Sequence, residues 1–214
     1  MAVLLQILLA GMPVQASAGC ACEAAKALNT WCDACKVGYV AGIRIESALL
    51  YEELDAHGHD IDPDRIECPS CRKALAADGF CHRCNIGFVN EQAYLSKLAY
   101  NLALGERVDP DSLTCETCRR HAGRYGWCDR CHAGMVGNVR IRDRGQYARA
   151  VVAYETVLAA IERLPKCWIC AAAMINDGYC VKCRIRYRDG KPVEPQTPEA
   201  AKDPDNDAGD GSGS

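Results

Sequence analysis

Hydrophobic positions in this chain follow two rhythms. Three stretches space them as helix faces: Leu49, Leu50 and Leu54 within residues 47–56; Tyr94, Leu95, Leu98, Ala99 and Leu102 within 91–104; and Tyr147, Val151, Tyr154, Leu158 and Ile161 within 145–164. Ser47 and Asn90 stand where N-caps belong, and Gly58, Gly105 and Pro165 where helices stop. Between the stripes lie short apolar runs punctuated by glycine, such as Gly38-Tyr39-Val40, which read as hairpin strands. The two ends differ. An apolar run from Ala2 to Met12, then Pro13 and Ala16-Ser17-Ala18, reads as a secretory signal over residues 1–18, although it carries no Lys or Arg. The run is well short of the ~20 residues of a membrane span. A short N-terminal helix packed on the first module is the alternative. Residues 191–214 are acidic, Pro/Gly-rich and free of aromatics, and are expected to be a disordered tail.

Composition changes this picture through what it lacks. The 214 residues include only two Phe and three Trp, and much of the apolar fraction is Ala and Cys. A single large core is therefore not expected; small stapled modules are. Sixteen cysteines supply the staples, in four quartets: Cys20, Cys22, Cys32 and Cys35; Cys68, Cys71, Cys81 and Cys84; Cys115, Cys118, Cys128 and Cys131; Cys167, Cys170, Cys180 and Cys183. The last three repeat C-x2-C-x9-C-x2-C, while the first shortens its opening pair to C-x-C. Two turns facing each other can close four thiolates into a tetrahedron around Zn²⁺, so up to four zinc ions are expected. Eight disulfides are the alternative in an oxidising compartment.

Other residues recur between the ligands. An aromatic precedes each third cysteine (Trp31, Phe80, Trp127, Tyr179), and in three copies a glycine follows the fourth by three (Gly38, Gly87, Gly134). The aromatic ring is expected to form most of each small module's core. Residues 31–45 match 127–141 at an offset of 96, and modules two and four share Asp-Gly-aromatic-Cys. The order reads A-B-A-B, with Arg44 and Arg140 in equivalent places and expected in ion pairs. The expected fold is α+β: β-hairpin modules joined by helices. The boundaries fall at 19–45, 68–89, 115–141 and 167–190 for the modules, with helical segments at 46–67, 90–114 and 142–166.

On these motifs each quartet resembles a zinc ribbon, and the chain is similar to a tandem zinc-ribbon protein of bacterial type over about residues 20–191. The resemblance implies a metal site and a small hairpin fold. It implies no activity, and such modules occur in nucleic-acid machines, beside enzyme domains and in protein adaptors. Many knuckles carry a glycine after the second cysteine, which is missing here.

Charge and the remaining motifs refine the reading. Residues 1–114 hold 9 Lys+Arg against 15 Asp+Glu; residues 115–191 hold 15 against 7; the rest hold 1 against 6. The basic section suits nucleic acid, yet Arg72, Lys73, Arg83, Arg119, Arg120, Arg130, Lys182 and Arg184 flank ligand positions and would offset anionic zinc–thiolate sites. Cys128-Asp129-Arg130-Cys131-His132 spells a haem attachment string, but a haem there would strand Cys115 and Cys118. The His57-x-His59 stretch reads as a solvated turn rather than an extra metal site. Complete four-cysteine sites leave no open coordination position, so catalysis is not expected. The sequence thus predicts an exported, periplasmic or secreted, non-enzymatic zinc protein that contacts other proteins, with no transmembrane span. A metal-handling or thiol-redox role outside the cytoplasm, and a nucleic-acid adaptor role in the cytoplasm, are the alternatives.

Overall fold

The computed structural model describes residues 22–193. Cys20, the expected signal and residues 194–214 lie outside the described residues. Module 1 is α1 (Cys22–Leu28), β1 (Trp31–Cys32), β2 (Val37–Val40) and β3 (Ile43–Ile45), followed by α2 (Ala48–Leu54). Module 2 adds a leading strand: β4 (His59–Asp60), α3 (Pro69–Leu75), β5 (Phe80–Cys81), β6 (Ile86–Val89) and β7 (Gln92–Tyr94), then α4 (Lys97–Ala103). Module 3 does the same with β8 (Glu106–Arg107), α5 (Glu116–His121), β9 (Arg124–Cys128), β10 (Ala133–Gly137) and β11 (Val139–Ile141), before α6 (Arg144–Arg163). Module 4 is α7 (Trp168–Ile175), β12 (Tyr179–Cys180), β13 (Ile185–Arg188) and β14 (Lys191–Val193). The fold is α+β, with one small antiparallel sheet per module.

Tight turns set the register of these sheets. Val40 pairs with Ile43, Val89 with Gln92 and Arg188 with Lys191, leaving two-residue loops. Both loop residues have positive φ in Ala41-Gly42, Asn90-Glu91 and Asp189-Gly190, the hand that matches strand twist. An Asx side chain in the turn two residues before the Trp31, Phe80 or Tyr179 strand fastens each loop. Asn29, Asp78 and Asp177 accept from the N–H of Ala41, Asn90 and Asp189 at 2.9, 2.8 and 2.8 Å, always twelve residues ahead.

Three sequence expectations give way here. Asn90 is a turn residue rather than an N-cap, and Gln92–Tyr94 is a strand. The helix starts only at Lys97, where the Ser96 hydroxyl accepts from the Ala99 N–H at 3.2 Å. Ladder pairing of Phe88 with Ala93 outweighs the helical spacing of Tyr94 and Leu95, and Leu95 is exposed. Residues 191–193 belong to a strand rather than a tail. In α6 the buried face is Ala150, Ala153, Tyr154, Val157 and Ala160, whereas Leu158 faces out. Alanines let α6 pack closely on α7 and α4, which a hydrophobicity stripe does not register.

The main core gathers Val40, Ile43 and Ile45 of module 1, Val136, Val139 and Ile141 of module 3, and one face each of α2, α4, α6 and α7. Modules 1 and 3 meet through equivalent turns. A Cβ on Gly137 would lie 2.6 Å from Cα of Ala41, and one on Gly42 would collide with the Gly123 carbonyl. Only glycine permits that approach. Arg44 and Arg140 are both ion-paired, to Glu46 at 2.5 Å and to Glu106 at 2.8 Å.

Candidate metal centres

Each centre is assembled from a helix start and a strand end. In modules 2, 3 and 4 the first cysteine (Cys68, Cys115, Cys167) is the N-cap of the short helix, and the second (Cys71, Cys118, Cys170) lies in its first turn. The first pair is therefore helical, where a second hairpin turn was expected. Pro69 at the first helical position favours this in module 2. The third cysteine closes a strand (Cys32, Cys81, Cys128, Cys180), and the fourth lies in the turn beyond. The residue after it is left-handed in every copy: Lys36, Asn85, His132 and Arg184, with φ of 53°, 57°, 47° and 58°. This turn aims backbone N–H groups at sulfur; the Cys183 N–H donates to Cys180 Sγ at 3.3 Å.

The sulfurs converge at distances suited to a shared cation. Cys22–Cys32, Cys115–Cys128 and Cys167–Cys180 stand at 3.7, 3.7 and 3.8 Å. A tetrahedron with metal–sulfur bonds of about 2.3 Å has edges of about 3.8 Å, whereas a disulfide is about 2.05 Å. Three complete groups result (Cys68, Cys71, Cys81, Cys84; Cys115, Cys118, Cys128, Cys131; Cys167, Cys170, Cys180, Cys183), with every sulfur within 4.8 Å of the others. A fourth contains Cys22, Cys32 and Cys35 among the described residues. All twelve cysteines of modules 2 to 4 are free thiols, whereas Cys35, which also stands in the module 1 group, is disulfide-bonded.

Electrostatics prepares these thiols unequally. The Cys71 N–H holds the Cys68 thiol down to about 6, and the Cys118 N–H does the same for Cys115, also to about 6. Neither sulfur accepts a capping hydrogen bond of strict geometry; proximity of the helix N–H groups suffices. Burial pushes Cys71 and Cys118 up. Burial also works against the Cys170 thiolate, yet the Tyr187 hydroxyl and Arg163 outweigh it and leave this thiol at about 6. Arg163 reaches from the end of α6 to within 3.6 Å of Cys170 Sγ. Four thiolates cannot ionise side by side without a cation, so binding must expel protons.

A surrounding shell holds the centres. In modules 1 to 3 the aromatic beside the third cysteine is half-buried rather than central and packs on a tyrosine of the next helix, whereas Tyr179 of module 4 is exposed. Trp31–Tyr51, Phe80–Tyr100 and Trp127–Tyr147 have ring centroids 5.4, 5.3 and 5.3 Å apart. The same tyrosine covers the glycine that follows the fourth cysteine, always thirteen residues later (Gly38–Tyr51, Gly87–Tyr100, Gly134–Tyr147). That fixed spacing is legible in the chain, but only once the rings are known to meet. In module 4 Arg186 replaces the glycine, and its guanidinium lies over Tyr179 instead.

Several flanking residues now have roles. Arg72 and Arg119 donate to the carbonyls of Ile66 and Leu113, six residues back, and so pin the loop before each first cysteine. Cys128 and Cys131 belong to one group with Cys115 and Cys118, and His132 is the knuckle residue, so a haem on this string would take two sulfurs from that group. His57 and His59 share Asp55, at 3.3 and 2.7 Å, and join no metal-type group among the described residues. No helix among the described residues is long and apolar enough to cross a membrane. Family models, curated proteins and solved structures give no match to the chain. The four-cysteine groups can hold metal ions, and function must be argued from them.

Proposed function

We propose that the chain is a structural zinc-binding protein whose four all-cysteine sites, of zinc-ribbon type, brace a non-enzymatic scaffold for contact with other proteins outside the cytoplasm. The reading rests on the tetrahedral S···S spacing of the cysteine groups. All-thiolate donors select zinc among abundant divalent ions, and a full set of four leaves no site for a reactive water. Native mass spectrometry and circular dichroism test it. Four zinc ions per chain, with loss of structure on chelation, are expected. A metal-free folded chain would overturn it.

One observation favours a second reading for module 1. The Cys35 disulfide suits a thiol-redox or metal-handling role there. Thiol counting under graded glutathione buffers separates the two, because a structural site stays reduced and loaded throughout.

A further inference from the structure

A cleft of about 1060 Å³ opens between modules 2 and 4, with α4 and α6 as its floor. Four arginines line it from three places in the chain: Arg83 of the module 2 knuckle, Arg149 of α6, and Arg186 and Arg188 of β13. None makes an ion pair with a described carboxylate. The cleft's two carboxylates, Asp177 and Asp189, are both spent on Lys97, at 2.5 Å each. The cavity is thus cationic although the chain carries a net −3. Offsetting thiolate charge does not explain the set, since Arg149 belongs to no cysteine quartet.

Four guanidinium forks lining one cleft, none of them held by a described carboxylate although Arg186 also lies over Tyr179, match phosphate oxygens in geometry and charge. The back of the cleft is apolar, with Leu98, Val157 and Ile175 buried there, which strengthens attraction for an anion at the mouth. On the module 2 wall, the rings of Phe80 and His82 meet edge to face at 5.2 Å, and the exposed His82 offers a planar ring a face to stack on. The volume lies just above the range of about 300–1,000 Å³ common for small-molecule pockets.

We propose that this cleft binds a small phosphate monoester bearing a planar ring, a ligand of the nucleotide class, with the phosphate among the arginines and the ring against Phe80 and His82. No cysteine lines the cleft, so a failure to bind there leaves the metal reading untouched.

Calorimetric titration of the zinc-loaded full chain with AMP tests it, with adenosine as the phosphate-free probe. AMP should bind one per chain and adenosine far more weakly. Arg149→Gln and Arg186→Gln should each weaken AMP by about tenfold or more, at unchanged zinc content. Arg107→Gln, on exposed β8 outside the cleft, should leave it unchanged. Absence of AMP binding, or equal losses at Arg107 and Arg149, would overturn the proposal. So would a single-stranded oligonucleotide that binds far more tightly than AMP with steep salt dependence, which would make the cleft part of a nucleic-acid surface.

Discussion

Lys97 of α4 and Asp177 at the end of α7 lie 80 residues apart in the chain and meet at 2.5 Å. Both side chains are mostly buried, at 19% and 22% exposure, and Asp189 closes the bridge from the other side. Lys97→Met keeps the stem but strands two carboxylates. It should cost about 1–3 kcal/mol, read as a lower denaturation midpoint of the zinc-loaded protein. Burial opposes the lysine's charge, yet the two aspartates win and raise its pKa above the ordinary lysine range. A raised lysine contributes fully below its unfolded pKa and loses its contribution only as pH rises through the folded one. The wild type–variant difference should therefore stay flat through neutral pH and shrink only in strong base.

The glycine–tyrosine pairs predict a strict size limit. A Cβ at Gly87 would collide with the Tyr100 ring, which is itself buried and anchored by a 3.0 Å hydrogen bond to the Asp78 carbonyl. Gly87→Ala should destabilise by about 1–3 kcal/mol. In a Tyr100→Ala background the same change should cost much less. Equal costs in the two backgrounds would show that backbone strain, not the ring, sets the limit.

His132 gives a test at a single knuckle. It sits at φ 47°, a conformation that costs a non-glycine residue roughly 1–2 kcal/mol. His132→Gly should retain all zinc and leave thermal stability equal or slightly higher, whereas His132→Val should lower it. A histidine serving as haem ligand would not tolerate the glycine.

Metal removal should proceed in order. Cys84 of module 2 is exposed, whereas Cys167, Cys170 and Cys180 of module 4 are buried and Cys183 is half-buried. Under a chelator, cysteine alkylation mapped by mass spectrometry should mark module 2 before module 4. The thiols held at about 6, Cys68, Cys115 and Cys170, contribute fully only above the ordinary thiol value of 9.0 and lose that contribution as pH falls from there through about 6. Chelator-competition titrations from pH 8 to about pH 5 should show metal affinity falling toward acid, with no reversal.

What the chain revealed, and what it hid, follows from the range of each signal. The quartets, the hairpins and the Ser47 N-cap of α2 were legible because each is a local pattern of a few residues, whereas α2 stops at Asp55 in a left-handed cap rather than at Gly58. The helix under each first cysteine pair was not, since six to eight residues show little periodicity. Gln92–Tyr94 was misread because Tyr94, Leu95 and Leu98 satisfy a helical spacing that only the sheet partner at Phe88 overrules. Arg186 and Arg188 alternate on one strand, but nothing in the linear order joins them to Arg83 and Arg149. Contact between the Ala41-Gly42 and Gly137 turns rests on the absence of side chains, which no hydrophobic pattern records.

That contact between turns has a bearing on biosynthesis. Ala41 is buried against a residue that a ribosome delivers 96 positions later. Until then the nascent module 1 can organise its own strands, but the apolar side formed by Val40, Ile43 and Ile45 has only α2 to cover it. An emerging chain should therefore depend on a chaperone through the synthesis of module 2 and lose that dependence abruptly once module 3 is complete.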